Sequence, residues 1–196
     1  TNDEIQNLKN IKNNSYTNKV VYFKKNANNK NIIILYEKGL LQILSPKKKN
    51  IKEYDILTEI RIKGVLYPNL IAKYTFCELK ENFFIFCGFL DKTLKFYQKD
   101  KNEFNYLLKI HTTSIISIND KVFITGHSNG ELIKWELLSK SDNNQINYEL
   151  KKIGEIKSNK SSIYCIEYDI KLNILLLCDN NSIIIRSYYN FEFLAH

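Results

Sequence analysis

His111 stands beside three hydroxyl side chains, Thr112, Thr113 and Ser114, and that grouping is the first place to look for nucleophilic chemistry. A catalytic serine or threonine needs a base at hydrogen-bonding range, an acid that orients the base, and donors for an oxyanion. No sequence signature for the acid or the oxyanion site accompanies His111, so a structural role explains it better. Gly126-His127-Ser128-Asn129-Gly130 is glycine-bearing but short, and it lies between apolar runs without a helix to follow, which excludes a phosphate loop. Asp3 with Glu4, and Glu53 with Asp55, are paired carboxylates in polar segments, and nothing places them around a cleft. Cys77, Cys87, Cys165 and Cys178 form no C-x-x-C pair and sit in or beside apolar runs, as reduced, buried thiols do. His111, His127 and His196 lack zinc-ligand spacing to them, so neither metal nor cofactor is expected. The chain reads as non-enzymatic.

What, then, are these residues mounted on? Apolar residues come in runs of about five, rich in Ile, Val, Phe and Tyr and bounded by Asn, Asp, Lys or Gly, which is the pattern of strands and tight turns. Val20 to Phe23, Ile32 to Tyr36, Leu40 to Leu44, Phe83 to Cys87, Ile115 to Ile118, Val122 to Thr125, Ile163 to Tyr168, Ile174 to Cys178 and Ser182 to Ile185 are the clearest. Only Asp3 to Leu8 suggests a helical turn, so the class is all-β. The runs repeat. Asp91-Lys92-Thr93-Leu94-Lys95-Phe96-Tyr97 aligns with Asn129-Gly130-Glu131-Leu132-Ile133-Lys134-Trp135 at an offset of 38 residues, and with Asn180 to Arg186 a further 51 on. The longer interval is assigned to a polar inserted loop, Ser139 to Asn147. Lys38 to Leu44 is a fainter first copy. Periods near 40 residues with several short strands each are expected of propeller blades. The blades are placed at about 19–63, 70–110, 111–157 and 159–195, after an N-terminal segment, 1–18, of uncertain structure.

The third copy resembles the WD-repeat family at His111, Thr125, Asn129 and Trp135-Glu136. The resemblance implies a hydrogen-bonded chain in which a turn residue meets an imidazole, the imidazole a hydroxyl, and the hydroxyl an indole N–H. His111, Thr125, Asn129 and Trp135 take those roles. Asn129 stands where the family has Asp, which removes a charge-assisted bond. The second copy offers Lys73, Cys87, Asp91 and Tyr97 at those places, and the fourth Asn159, Leu176, Asn180 and Arg186. The implied fold is a WD-repeat-like β-propeller of about four blades in an incomplete ring, with open edges that other strands must cover. A narrower likeness runs from Phe86 to Tyr97, which is similar to the propeller that follows the BEACH domain in large vesicle-trafficking scaffolds, and continues through His111, Ile115-Ile116 and Thr125 to Ser128.

These resemblances imply an interaction scaffold for other proteins, with Lys73, Tyr74, His127, Ser128, Arg186 and Tyr188 as candidate partner-binding residues on the loops. They also imply a cytoplasmic protein, peripheral to intracellular membranes. The formal net charge of +8 opens a rival reading, a basic propeller in an RNA-processing or ribosome-biogenesis complex. The basic residues are dispersed except for Lys47-Lys48-Lys49 with Lys52, which reads as a solvated loop, so direct nucleic-acid binding is not favoured. No apolar run reaches the roughly 18 residues of a membrane-spanning helix, and any membrane association would be peripheral or through the parent protein. The chain begins with Thr1 and contains no Met, as expected of a segment of a longer protein.

Overall fold

Short runs of β-branched and aromatic residues cannot complete their hydrogen bonds alone, so each must pair with a neighbour. The computed structural model shows how. It describes residues 20–25, 30–36, 39–47, 50–61, 76–80, 83–88, 92–98, 104–142, 145–157 and 161–195. The N-terminal segment, 1–18, lies outside them. Among the described residues sixteen strands form four antiparallel sheets of four, each strand beside its neighbour in sequence.

The chain divides into two units, residues 1–73 and 74–196. The first holds one sheet: β1 (Val20–Lys25), β2 (Ile32–Tyr36), β3 (Leu40–Lys47) and β4 (Asn50–Arg61). Ile32, Ile33, Ile34 and Leu35 are all at most 3% exposed, so β2 is covered on both faces, which is why its sequence is an unbroken apolar run. Gly39 enters β3 at φ 78°, a left-handed conformation that suits glycine. Lys47 ends strand β3 as an exposed side chain and reaches Glu53 at 3.1 Å, whereas Lys48 and Lys49 lie outside the described residues.

The second unit holds three sheets. One comprises β5 (Phe76–Lys80), β6 (Phe83–Gly88), β7 (Thr93–Gln98) and β8 (Phe104–Leu107). The next comprises β9 (Thr112–Ser117), β10 (Val122–His127), β11 (Glu131–Asp142) and β12 (Gln145–Lys157). The last comprises β13 (Cys165–Asp169), β14 (Ile174–Cys178), β15 (Ile183–Ser187) and β16 (Phe193–Ala195). The β9–β12 sheet is the middle layer and buries both faces. Ile115, Phe123, Ile133, Trp135 and Leu137 pack against Phe83, Ile85, Leu94 and Phe96. On its other side Ile124 and Leu132 pack against Ile166, Leu175, Leu177 and Ile184. Strand alternation sends successive side chains to opposite layers, so polar side chains buried in this sheet, such as Thr125 and His127, must find their hydrogen bonds inside it.

One sequence expectation is overturned here. Ser139 to Asn147 is not an inserted loop, because the β11–β12 ladder runs on through Ser139↔Tyr148, Lys140↔Asn147, Ser141↔Ile146 and Asp142↔Gln145. A two-stranded extension satisfies its backbone by cross-strand bonds and needs no apolar face, so polar composition alone does not rule it out. The ladder also slips once: Lys134 pairs with Gly154 and Trp135 with Lys152, leaving Ile153 as the extra residue of a bulge.

Candidate functional site

The richest polar cluster lies inside the middle sheet. Trp135, 4% exposed, donates its indole N–H to Thr125 Oγ1 at 2.8 Å. The same hydroxyl meets His127 Nε2 at 2.8 Å. Thr125 and His127 sit two apart on β10, so strand alternation sets them on one face. Phe123 stacks on the indole at 6.4 Å between ring centroids, and the Tyr106 ring meets it edge-on at 5.7 Å. The hydroxyl is thus the hub that reconciles an indole donor and an imidazole in a dry layer.

The imidazole on Thr125 is therefore that of His127, whereas the family pattern assigned the role to His111. His111 contributes its backbone carbonyl, which accepts from the Ser128 N–H at 3.0 Å. Asn129 Oδ1 accepts from the Glu131 N–H at 3.1 Å and shapes the β10–β11 turn, where Gly130 adopts φ 80°. Burial of His127, 1% exposed, lowers its pKa from 6.5 to about 4, and the backbone of His111 beside the ring offsets this only in part. Nδ1 has no partner at hydrogen-bonding geometry among the described residues. His127 is thus a neutral, enclosed ring.

Of the three hydroxyls that invited a nucleophile reading, those of Thr113 and Ser114 are spent on backbone, while Thr112 Oγ1 is buried without a hydrogen-bond partner among the described residues. Thr113 Oγ1 donates to Ile163 O at 2.6 Å and lies 3.1 Å from Gly126 O, while Ser114 Oγ donates to Ile163 O at 2.8 Å. Ile163 N donates to His127 O at 3.2 Å, and Ser162 Oγ to Ser128 O at 2.9 Å. These bonds stitch the segment before β13 onto the end of the middle sheet. Gly126 lies at that stitch. A Cβ there would meet Ser114 Oγ and come within 2.8 Å of Ile163 Cγ2. Ser114 cannot swing aside without giving up its own bond to Ile163 O. Gly126→Ala should therefore destabilise the protein by about 2 kcal/mol, the usual cost of overpacking; an unchanged denaturant midpoint would show that the seam gives way freely.

In the fourth sheet the turn is organised one residue earlier than the repeat alignment placed it. Asp179, not Asn180, caps it: Oδ1 accepts from Asn181 N at 2.9 Å and Ser182 N at 2.8 Å, and Oδ2 from Ser161 Oγ at 2.8 Å. Backbone and hydroxyl donors hold its pKa at about 2. Arg186, at the place of Trp135, is 8% exposed and donates Nη1 to Phe191 O at 2.7 Å.

The residues proposed to bind partners separate accordingly. Burial takes His127 and Arg186 out of reach of any partner, and Ser128 is partly covered and engaged through both backbone groups. Lys73 and Tyr74 lie outside the described residues. Tyr188 remains half-exposed, with the Lys134 ammonium 3.6 Å from its ring centroid and the Tyr168 ring at 4.9 Å. Its neighbour Tyr189, 73% exposed, was not singled out from the sequence, although adjacent tyrosines on a turn are a readable surface signal.

The cysteines also divide. The residue Cys87 keeps some surface, but its sulfur is enclosed, and burial with Cys77 nearby pushes its pKa well up. Cys165 and Cys178 are opposite one another on β13 and β14 and only partly buried, against the expectation of buried thiols. Among the described residues no three His, Cys, Asp or Glu side chains cluster to hold a metal, and no helix is long and apolar enough to cross a membrane.

No protein-family model matches the sequence, and neither does any curated protein. Among solved structures the chain is similar to the WD40 β-propeller domain of Doa1, with a TM-score of 0.56 at 15% identity. The match covers 83% of this chain and 48% of that one, so the chain spans about half the length of the structure it resembles. With its four meandering four-stranded sheets, this all-β chain has the fold of WD-repeat-like β-propeller blades.

Proposed function

We propose that the chain is a non-catalytic scaffold that binds other proteins. The observation that carries this is how its side chains are allotted. The Thr113, Ser114 and Thr125 hydroxyls, His127 Nε2 and the Trp135 indole are bonded to one another or to backbone inside the sheets, and Thr112 is closed off by burial. Large apolar side chains are instead presented on turns, with Ile170 at 71%, Leu172 at 66% and Tyr189 at 73% exposure. Exposed apolar groups on rigid turns support binding rather than turnover.

Within that reading, the stretch from Phe86 to Tyr97 supports a part in membrane traffic, in a cytoplasmic parent protein peripheral to intracellular membranes. Proximity labelling from the chain in cells tests it. Enrichment of coat, adaptor or cargo proteins is the expected outcome, and enrichment of ribosome-assembly or RNA-processing factors would replace it with the basic-propeller reading. A direct check accompanies it: binding to a single-stranded RNA probe should be weak between 50 and 200 mM salt. Tight binding that falls by orders of magnitude over about that range would mark phosphate contacts instead.

A further inference from the structure

Two turns at one end of the fourth sheet form a single surface. The β13–β14 turn carries Ile170, Lys171 and Leu172, and the β15–β16 turn carries Tyr188 and Tyr189. They are locked together. Tyr188 N donates to Asn173 O at 2.9 Å, and the Tyr168 hydroxyl donates to Asn173 Oδ1 at 3.0 Å. Asp169 Oδ1 accepts from Lys171 N at 2.9 Å and Leu172 N at 3.1 Å, which fixes the first turn. The backbone that carries the exposed side chains therefore does not have to be ordered when something binds, and preorganisation of this kind lowers the entropic cost of association.

Lys134 places a cation among the apolar side chains of this surface. Its half-buried ammonium lies over the Tyr188 ring and 3.5 Å from Tyr188 O, and it meets no carboxylate among the described residues. A partly desolvated cation without an anion is an unmet demand. The aromatic face supplies some compensation but no counter-charge. Lys171, exposed between Ile170 and Leu172, adds a second positive charge; of the two carboxylates on these turns, Asp169 is turned to backbone amides and Glu192 to the Asn190 side chain, and neither meets Lys134. Two lysines are too few for a nucleic-acid track, which needs many phosphate contacts. Apolar side chains around a cation suit a carboxylate flanked by apolar residues.

We propose that Ile170, Leu172, Tyr188 and Tyr189, with Lys134 against the Tyr188 ring, dock a short acidic and apolar segment of a partner protein, its carboxylate seated on Lys134. This rests on the scaffold reading and gives it a place and a partner chemistry.

The test is selection of phage-displayed random 12-residue peptides on the full chain, followed by fluorescence anisotropy with the synthesised winners. Peptides combining Asp or Glu with Leu, Phe or Trp should be enriched. Lys134→Glu should weaken them about a hundredfold, and Ile170→Ser with Leu172→Ser about tenfold. The double variant changes only exposed side chains, so it keeps the test valid if Lys134→Glu misfolds. Replacing the peptide's acid by Lys should restore binding to Lys134→Glu. Winners unaffected by either variant would overturn this site and leave the scaffold reading standing. Failure to enrich any peptide would count against both. Binding of vesicles containing phosphatidylserine, lost in the same variants, would overturn the peptide in favour of a lipid surface.

Discussion

Thr125→Val should cost about 3 kcal/mol, because it deletes the one atom that satisfies two buried groups while preserving shape. In the folded protein Trp135 Nε1 and His127 Nε2 both lie 2.8 Å from Thr125 Oγ1, and Thr125 is fully buried. Valine puts a methyl there. The indole N–H and the imidazole nitrogen then stay in a dry layer without partners, each at about 1–3 kcal/mol. Nothing nearby can step in: the carbonyl of Ile133, 3.5 Å from the hydroxyl, is fixed in the sheet. For a domain of this size the loss corresponds to roughly 10 °C in Tm. Thr125→Ser keeps the oxygen and should recover most of the difference. Trp135 is the sole tryptophan, so its emission reports both unfolding and the loss of the N–H bond. A Thr125→Val protein less than about 1 kcal/mol below the parent would mean that the network contributes geometry without net stability.

Acid should unfold the protein through His127. Its pKa falls from 6.5 in the unfolded chain to about 4 in the folded one. Between these values the unfolded state binds a proton that the folded state refuses, so stability falls as pH drops and is restored as pH rises. The full contribution is present above pH 6.5 and is gone near pH 4. The difference of 2.5 pH units corresponds to about 3 kcal/mol. Ordinary carboxylates titrate within the lower part of this range, so the informative quantity is the difference from His127→Leu, which lacks the ionisation. Denaturant midpoints measured from pH 7.5 to 4.5 should slope for the parent and stay flatter for the variant. Parallel slopes would show that the ring is not the acid-sensitive group. Asp179, held near 2, gives up its proton-linked stability only below that window, as pH falls from 3.8 towards 2.

Part of this site was legible in the sequence, and the reasons are local. The Thr125–Trp135 pair follows from a turn of fixed length between two strands, since Thr125 and Trp135 lie on adjacent strands in a register that the Asn129-Gly130 turn sets. The family pattern looks for the imidazole on a loop, at His111, whereas the ring on Thr125 is that of His127. Alternation along β10 was the better guide: residue 127 shares a face with residue 125. The Asp179 cap escaped the repeat alignment because Asp179, Asn180 and Asn181 can all begin an Asx turn, and only the backbone donors choose among them. Arg186 reads as a surface residue by composition, and the carbonyl of Phe191, presented by the turn from 188 to 192, helps to make its burial tolerable. Ser139 to Asn147 reads as a loop because strand signals rely on apolar alternation, which a ladder projecting past the core does not require.

The Ile163 seam has a consequence for how this fold can yield. Apolar contacts degrade smoothly when layers slide, but the bonds from Thr113, Ser114, Ser162 and the Ile163 amide across this seam are directional. A displacement of one residue along the strand direction, about 3.3 Å, would break all of them together. Relative position between these two layers is therefore quantised: they stay latched or come fully apart, and a gradual shear has no intermediate place to rest.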